Sequence, residues 1–353
     1  MINLKKFYKN KKVLVTGATG FKGAWLCAWL LNLGAKVYGT GYSAASNKKL
    51  FYQLELDKKI NLKLIDIRNY AKLKNFINIS KPSIIFHLAG QPLVYLGYQK
   101  PYFTSEVNYI GALNILEIAR VNKFIKSVVI VSAEACYESD DKVKIHKEND
   151  KLGGVNTYSA SKSSAELITK AYRESFFKNK KKCGLSTARP GNVIGGGDWS
   201  TKRLIPDCIK SLIKNKIILL RNPNFRRPWY HVLEPLKGYL ILGKKQFQDP
   251  VKYSGSWNFG AHSKSVSKVE YITKNVIKFW GKGKIKVLNK NKFYEQKDLK
   301  VDSTKAQKKL GWFTTYNVMD SIKITTEWYL KVLNKEKSAL DITNEQIDTY
   351  MKK

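Results

Sequence analysis

Tyr158 and Lys162 are a pair of residues whose types and spacing could do chemistry. They stand four residues apart in NTYSASKSSAELI, which puts both side chains on one face of a helix. A tyrosine phenol has a pKa of about 10 and is a poor base at neutral pH, but a neighbouring ammonium and a cationic nicotinamide would lower that pKa. The pair could then take a proton from a sugar hydroxyl while hydride leaves the same carbon. An exposed tyrosine beside a solvated lysine is the alternative.

Gly17, Gly20 and Gly23 lie directly between a predicted strand and a predicted helix in LVTGATGFKGAWL. The first glycine permits a tight turn, the second lets the backbone approach a pyrophosphate, and the third lets the helix pack close to the strand. The N-terminus of the helix then faces the phosphates. This context predicts a dinucleotide-binding site, and a glycine turn without a ligand is the alternative.

The sequence lacks one feature that usually accompanies an NAD site. The second predicted strand ends in VYGTGYS, with no Asp or Glu to bind the adenosine ribose, so the usual cue for NAD over its phosphorylated form is absent. Asp66, after the third predicted strand, is instead expected near the adenine. After the fourth, HLAG is expected to line the cofactor through Leu88, Ala89 and Gly90, whereas His87 is more typical of a packed strand residue.

The elements that would position these residues alternate along the first 190 residues, with short β-branched runs between longer helical patterns. Six strands are predicted, at residues 12–17, 35–40, 62–67, 83–89, 127–132 and 184–190. Such alternation predicts an α/β fold, a Rossmann-type doubly wound parallel sheet with helices on both faces. Beyond about residue 190, clusters of Gly, Pro, Asn and Trp predict a smaller C-terminal substrate-binding lobe.

The same pattern predicts where the domains begin and end. We expect residues 1–190, joined by about 226–260, to form the NAD-binding Rossmann domain. The substrate-binding lobe is expected to comprise about 191–225 and 261–335. The last residues, 336–353, are predicted to be a polar tail that frays.

The formal net charge of +37 is the most unusual property of the composition. Lysines are scattered over nearly every predicted element, and only eight residues are arginine, the side chain that phosphate and base recognition favours. The charge therefore does not predict a protein that binds nucleic acid. It should still attract a small anionic ligand such as a sugar diphosphate.

Several classes of protein are disfavoured by the sequence. The longest apolar run, residues 24–31, is too short to span a bilayer, and the charged N-terminus does not resemble a secretory signal. The four cysteines are too widely spaced for a zinc pattern and are expected to be reduced thiols. The sequence thus predicts a cytoplasmic protein with neither a membrane span nor a bound metal.

The motifs TGATGFKG, HLAG, VNYIGALNIL and YSASK resemble those of the extended short-chain dehydrogenase/reductase family. Longer stretches, above all RPGNVIGGGDW and RRPWYHVLEP, resemble the CDP-glucose 4,6-dehydratases within it, and the resemblance extends from about residue 12 to about residue 329. It implies a Rossmann fold that binds NAD and a C-terminal lobe that binds a nucleotide-sugar, with a CDP-hexose as the expected substrate. It also implies a role in making deoxysugars for bacterial surface polysaccharide.

The resemblance implies further site residues. For the cofactor they are Phe21, Asn108, Tyr158 and Lys162. For the nucleotide-sugar they are Gln91, Asn192, Arg203, Arg227 and His231. Arginine suits the diphosphate because its guanidinium makes charge-assisted hydrogen bonds to phosphate oxygens.

The stretch SVVIVSAEACYESDD, residues 127–141, departs from the family pattern. The family ends this strand with Ser or Thr, then Asp, then Lys or Glu, whereas this chain has Ala133, Glu134 and Ala135. Glu134 can still be the acid that protonates the departing 6-hydroxyl, but neither alanine can transfer a proton. Ser132 has a hydroxyl, which strand alternation would aim to the opposite side. The resemblance therefore predicts a catalytic site that is partly emptied.

Three functions are compatible with these residues. The first is a nucleotide-sugar 4,6-dehydratase, in which Tyr158 assists oxidation at C4 and Glu134 assists loss of water from C6. The second is a C4 epimerase or C4 dehydrogenase, which needs no acid at C6. The third is a catalytically silent dinucleotide-binding protein, against which the retained Tyr158 and Lys162 argue. By analogy with other extended family members we expect a homodimer or homotetramer.

Overall fold

The computed structural model describes residues 4–42, 49–138, 145–178, 183–260, 266–288 and 300–353. Their strands are, in chain order, β1 (Lys12–Thr16), β2 (Lys36–Gly41), β3 (Asn61–Leu64), β4 (Ile84–His87), β5 (Ser127–Val131), β6 (Ile145–His146), β7 (Gly184–Pro190), β8 (Asn192–Ile194), β9 (Ile218–Leu220), β10 (Arg226–His231), β11 (Gly255–Phe259), β12 (Val266–Lys268), β13 (Ile285–Val287) and β14 (Lys300–Val301). The helices are α1 (Leu4–Tyr8), α2 (Phe21–Asn32), α3 (Lys49–Gln53), α4 (Leu56–Lys59), α5 (Tyr70–Ser80), α6 (Val94–Gln99), α7 (Pro101–Val121), α8 (Thr157–Tyr172), α9 (Leu204–Ile213), α10 (Leu233–Gln248), α11 (Pro250–Tyr253), α12 (Val269–Trp280), α13 (Thr304–Leu310), α14 (Val318–Leu333) and α15 (Ala339–Lys352). Among the described residues, no helix combines the length and the apolar character that crossing a membrane requires.

A seven-stranded parallel sheet is the centre of the fold, with the strand order β11-β7-β5-β4-β1-β2-β3. The predicted α/β fold is confirmed, and all six predicted strands belong to this sheet. The chain runs outward in one direction from β1 to β3 and then crosses back to β4 on the other side of β1. In doubly wound sheets ligands bind at such a reversal, beyond the carboxyl ends of the strands.

Helices cover both faces of the sheet because successive strand residues point to opposite sides. In β5, Val129 packs into a core with α2 and α10, while Val128 and Ile130 pack into a second core with α5, α7 and α8. The inner strands β4 and β5 are therefore buried along their whole length and consist almost entirely of apolar residues, as expected of strands covered on both faces.

The second half of the chain contributes three small sheets and one strand of the central sheet. β8 and β12 flank β10, β9 pairs with β13, and β6 pairs with β14. β11 returns to the central sheet beside β7. The division into a Rossmann domain and a substrate-binding lobe at the boundaries given above stays a prediction.

The predicted fraying of a polar tail at 336–353 is wrong. Residues 339–352 form α15, whose Ile342, Ile347 and Tyr350 are buried. The ring of Tyr350 packs edge-on against Trp29 of α2, with the ring centres 5.6 Å apart. Ser338 caps the helix by accepting a hydrogen bond from the backbone N–H of Asp341. The many polar residues between the buried ones are the outer face of an amphipathic helix.

Candidate active site

A cleft of about 620 Å³ lies beyond the carboxyl ends of β4 and β5 and is closed on the far side by the second half of the chain. Its walls include eight of the residues predicted from the sequence: Leu88, Gly90, Glu134, Tyr158, Lys162, Asn192, Arg203 and Arg227. The structure thus brings the predicted catalytic residues and three predicted substrate-binding residues into one cavity. Sequence reasoning missed one cleft residue with a charged side chain close to this group, Lys22.

The glycine-rich turn after β1 has the geometry of a phosphate cradle. Gly17 has a φ of +72°, and a Cβ there would lie 2.8 Å from the backbone of Ala89. A Cβ on Gly23 would lie 2.0 Å from the carbonyl oxygen of Gly17, so only glycine lets α2 begin this close to the strand. A Cβ on Gly20 would meet only that carbonyl within 4 Å, at 3.3 Å, which leaves open space for a ligand. Phe21 is instead buried beneath Gly195 and supports the turn.

The turn after β4 is held by Asn108 of α7. Its Oδ1 accepts a 2.9 Å hydrogen bond from the backbone N–H of Gln91, and its Nδ2 donates to the Gln91 carbonyl and to the hydroxyl of Ser161. A Cβ on Gly90 would lie 2.8 Å from Oδ1 of Asn108 and 3.1 Å from Nζ of Lys162. Glycine at position 90 therefore leaves room for Lys162 at the cleft wall.

Gln91 is not among the residues that line the cleft, and its contact with the sugar stays a prediction. Its side chain is buried, donating to the hydroxyl of Thr104 and accepting from the backbone N–H of Leu93. Both ends of the amide are thus occupied, the nitrogen by Thr104 of α7 and the oxygen by the backbone of the turn after β4.

Asp66 follows β3, and its carboxylate forms an ion pair with the guanidinium of Arg68. Nε of Arg68 lies 3.1 Å from each carboxylate oxygen, and a terminal nitrogen lies 2.6 Å from Oδ2, while the other terminal nitrogen donates to Glu106. Hydrogen bonds from Arg68 hold the pKa of Asp66 below its usual range. The carboxylate therefore stays ionised, and its contact with an adenine stays a prediction.

Helix α8 places the Tyr158–Lys162 pair at the cleft wall. It begins beyond Asn156, whose side chain accepts from the backbone N–H of Ser159. Both predicted catalytic side chains are buried, and the exposed tyrosine of the alternative interpretation is not observed.

The predicted effect of Lys162 on the phenol of Tyr158 is not seen in the structure without ligands. Burial raises the pKa of Tyr158 to about 12, and Arg203 is the cation that opposes this rise. Burial also lowers the pKa of Lys162 to about 8. Desolvation is the largest cause of both shifts, and the cation that acts on the phenol is Arg203, not Lys162.

Glu134 lies in a 3₁₀ turn, Glu134–Cys136, directly after β5, and is almost completely buried. Its Oε1 accepts a long hydrogen bond of 3.5 Å from Nδ2 of Asn192, and its Oε2 has no hydrogen-bond partner within the described residues. Burial raises the pKa of Glu134 to about 8, against the opposing charges of Arg227 and Lys22. At neutral pH the group is thus mainly a protonated acid, because a buried carboxylate without compensating hydrogen bonds is costly.

Ala133 and Ala135 also line the cleft, on either side of Glu134. Ser132 lies on the cleft as well, but its hydroxyl donates to the backbone carbonyl of Lys162 at 3.5 Å. Neither alanine has a group that can transfer a proton. The cleft therefore lacks proton-transfer side chains at these two positions, as the sequence predicts.

The predicted substrate-binding residues divide into two groups. Asn192, Arg203 and Arg227 face the cleft; a terminal nitrogen of Arg203 donates to the carbonyl of Pro92, and the guanidinium of Arg227 lies 5.5 Å from the centre of the Phe225 ring. His231 is fully buried away from it, packed edge-on against Trp25. The sequence could place His231 close to residues of the cleft, but it could not show that its ring points into the core.

Comparisons with known proteins agree on one family. A model of the GDP-mannose 4,6 dehydratase family matches residues 14–325. The chain is 38% identical over 352 residues to the CDP-glucose 4,6-dehydratase of Salmonella typhimurium, covering 98% of each protein. It is 26% identical to the UDP-glucuronate 4-epimerase of Thermodesulfobacterium geofontis, covering 89% of this chain and 95% of that protein.

Solved structures resemble the fold over most of its length. The dTDP-glucose 4,6-dehydratase of Bacillus anthracis, in complex with NAD, has a TM-score of 0.76 at 20% identity and covers 91% of this chain and 97% of its own. The UDP-glucose 4-epimerase of Thermotoga maritima, with UDP-glucose, has a TM-score of 0.77 at 20% identity and covers 91% and 99%. At these identities the likeness establishes the Rossmann-type fold.

Proposed function

Since the chain belongs to the GDP-mannose 4,6 dehydratase family, we propose that it is an NAD-dependent nucleotide-sugar 4,6-dehydratase, a hydro-lyase. The relative with 38% identity makes CDP-glucose the substrate to test first. One observation carries the proposal: a buried, protonatable Glu134 lines the same cleft as the Tyr158–Lys162 pair. A dehydratase needs both: the Tyr158–Lys162 pair for oxidation at C4, and Glu134 for loss of the 6-hydroxyl.

Tyr158 is the group that takes the proton from the sugar 4-hydroxyl. Burial keeps its phenol protonated in the empty cleft, so positive charge must favour the phenolate when the reaction begins. Lys162, one helical turn away, and Arg203 are the side chains placed to supply it. Oxidation at C4 makes the hydrogen at C5 acidic, because the carbanion that forms there is conjugated with the new ketone.

Glu134 is the group that assists departure of the 6-hydroxyl. In its protonated state it can deliver a proton to the leaving oxygen, which a carboxylate cannot do. The free Oε2 leaves an acceptor or donor position that a sugar hydroxyl can occupy.

NAD is the cofactor, and the residues present fit it. The open side of Gly20 admits a pyrophosphate at the N-terminus of α2, and the absence of a side chain at Gly90 leaves room for Lys162 at the cleft wall. When bound, NAD would supply the hydride acceptor for C4 and the hydride donor for C6. Tyr158, Lys162 and the turn after β4 orient the sugar and the cofactor toward each other.

Arg203 and Arg227 are proposed to bind the diphosphate of the nucleotide-sugar. Both lie on the cleft wall formed by the second half of the chain, opposite the sheet. Each guanidinium group has several N–H donors in a planar arrangement, which allows it to bind two phosphate oxygens at once. Asn192, next to Glu134, is placed to contact the sugar itself.

A C4 epimerase is the second candidate, because Ala133 and Ala135 leave elimination with fewer proton-transfer groups than oxidation. Glu134 favours the dehydratase, since an epimerase has no use for a buried acid at C6. The deciding experiment incubates the protein with CDP-glucose and NAD in deuterated water and analyses the product by mass spectrometry. A 4-keto-6-deoxy sugar with deuterium at C5 supports the dehydratase, whereas a product that keeps its 6-hydroxyl and its C5 hydrogen contradicts it.

We propose a homodimer or homotetramer that forms through the outer faces of α7 and α8. These helices pack against each other, and they expose Tyr102 and Leu167 to solvent. Sedimentation of the wild type and of Leu167→Glu tests this, since a buried charge would dissociate the assembly.

The cytoplasm is the proposed location, in keeping with four cysteines that are buried, free thiols.

A further inference from the structure

Lys22 lies at the point where the cofactor turn meets the catalytic cleft. It is the second residue of α2, between Gly20 and Gly23, and its side chain is partly buried. Because Gly23 lets α2 begin against the strand, the side chain of Lys22 emerges at the carboxyl ends of the sheet and lines the cleft with Glu134.

The charged groups that face Lys22 come from three other segments. Lys162 faces it from α8, Glu134 from the turn after β5, and Asp198 and Arg203 from the segment before α9. The amine therefore lies among the residues that surround the sugar in the proposed reaction, and it lines the same cleft as Glu134.

Burial and the two neighbouring cations lower the pKa of Lys22 to about 7. Burial raises the pKa of Glu134 to about 8. Both shifts favour the neutral forms, so that near neutral pH the acid tends to keep its proton and the amine gives up its own more readily than a solvated lysine does. An acid and a base whose pKa values lie near the working pH are what general acid–base catalysis requires.

We propose that Lys22 is a catalytic residue of the elimination, the base that takes the C5 proton where Ala135 offers no group to do so. The inference rests on the proposed dehydratase function. It is supported by the place of Lys22 on the cleft wall with Glu134, while Lys162 on the same wall is already the partner of Tyr158.

The proton transfers balance. The amine of Lys22 takes the proton from C5, the electron pair of that bond forms the C5–C6 double bond, and the C6–O bond breaks with the oxygen leaving as water on the proton of Glu134. When C6 is reduced by the returning hydride, the ammonium of Lys22 gives a proton back to C5. Glu134 regains a proton equivalent to the one that Tyr158 took from the 4-hydroxyl, so one water is the only net loss.

The first test measures the two half-reactions of Lys22→Met separately. With CDP-glucose and saturating NAD, we expect bound NADH to form as in the wild type, while exchange of solvent deuterium into C5 and formation of the 6-deoxy product slow by about 10²–10⁴-fold. Lys36→Met is the matched control, because Lys36 is exposed at the amino end of β2, at the opposite edge of the sheet from the cleft, and exchange should be unchanged.

Two further variants test whether Lys22 acts as a base or only through its positive charge. Lys22→Arg keeps the positive charge but stays protonated, so it should oxidise C4 and fail to exchange C5. Adding Ala135→Lys to Lys22→Met places an amine at the neighbouring cleft position and should restore exchange at least in part.

The outcomes are distinct. If the wild type places deuterium at C5 and Lys22→Met does so at the same rate with saturating NAD, the role of Lys22 is refuted and the dehydratase stands. Loss of C4 oxidation in both Lys22→Met and Lys22→Arg also overturns the proposal, because Lys22 would then act in binding the cofactor. A wild type that oxidises CDP-glucose without exchange at C5 overturns both the dehydratase and the inference.

Discussion

Arg189 and Glu166 form an ion pair that solvent hardly reaches: a terminal nitrogen of Arg189 donates a 2.7 Å hydrogen bond to Oε2 of Glu166. Glu166 lies one turn beyond Lys162 on α8, and Arg189 is the penultimate residue of β7. The same guanidinium donates to the hydroxyl of Tyr137 at 2.7 Å. The pair therefore joins the helix that carries the catalytic tyrosine and lysine to the carboxyl end of β7.

Arg189→Met should destabilise the protein by about 3–5 kcal/mol, because it leaves the carboxylate of Glu166 buried without its partner. Chemical denaturation measures the loss. The double variant Arg189→Met with Glu166→Leu is the control, and it should recover much of the stability, since apolar replacement of a whole buried pair is far less costly than removal of one charge. A single variant as stable as the wild type would contradict this account.

The sequence was a good guide to the sheet and a poorer one to orientation within it. Strands buried on both faces are continuous apolar runs, which can be recognised without knowing what covers them. The amphipathic α15 was missed because its buried positions, such as Ile342 and Ile347, are separated by polar residues whose outward face is evident only once α2 is placed.

The candidate site shows the same limit. Tyr158, Lys162 and Glu134 line one cleft: Glu134 directly follows the carboxyl end of β5, and α8 brings the other two to the same wall. The protonation of these groups was not predictable, since it depends on burial by the second half of the chain. Lys22 has no comparable signal in the sequence, because a lysine in the first turn of a helix is ordinarily solvated.

Tyr158→Phe should abolish hydride transfer while leaving NAD binding nearly unchanged, because only the proton acceptor is removed. The absence of bound NADH after mixing with CDP-glucose, together with a normal dissociation constant for NAD, is the expected result. A Phe variant that turned over like the wild type would remove Tyr158 from the proposed chemistry.

Gly20→Val should prevent NAD binding, because a branched side chain would fill the open space in front of the turn. Titration calorimetry with NAD checks this. Gly20→Ala is the graded control: its Cβ would meet only the carbonyl of Gly17, at 3.3 Å, and should weaken binding much less. Tight binding by the Val variant would place the pyrophosphate elsewhere.

Arg227→Ala should weaken the binding of CDP by about 2–5 kcal/mol, the range found when one partner of a desolvated charge pair is removed. NAD binding should not change, since the two ligands would contact different walls of the cleft. Arg226→Ala, one residue away on β10 and exposed, is the matched control and should bind CDP normally. Equal affinities of the two variants would show that the diphosphate lies beyond the reach of Arg227.

Glu134→Gln should separate oxidation from elimination, because glutamine keeps the size and hydrogen-bonding capacity of the side chain but has no acidic proton. Bound NADH and a 4-keto sugar that retains its 6-hydroxyl should accumulate. Elimination itself should slow by about 10²–10⁴-fold relative to the wild type.

The pH dependence of the wild type gives an independent measure of the same group. Only protonated Glu134 can donate to the leaving hydroxyl, and burial raises its pKa to about 8 although Arg227 and Lys22 oppose the rise. In a plot of elimination rate against pH, the contribution of Glu134 should therefore be constant at lower pH. The rate should then fall as pH increases through about 8, where Glu134 loses its proton. Glu134→Gln, whose residual rate does not depend on this proton, should lose the falling limb. A variant that retained both the wild-type rate and the fall above pH 8 would show that another group protonates the departing hydroxyl.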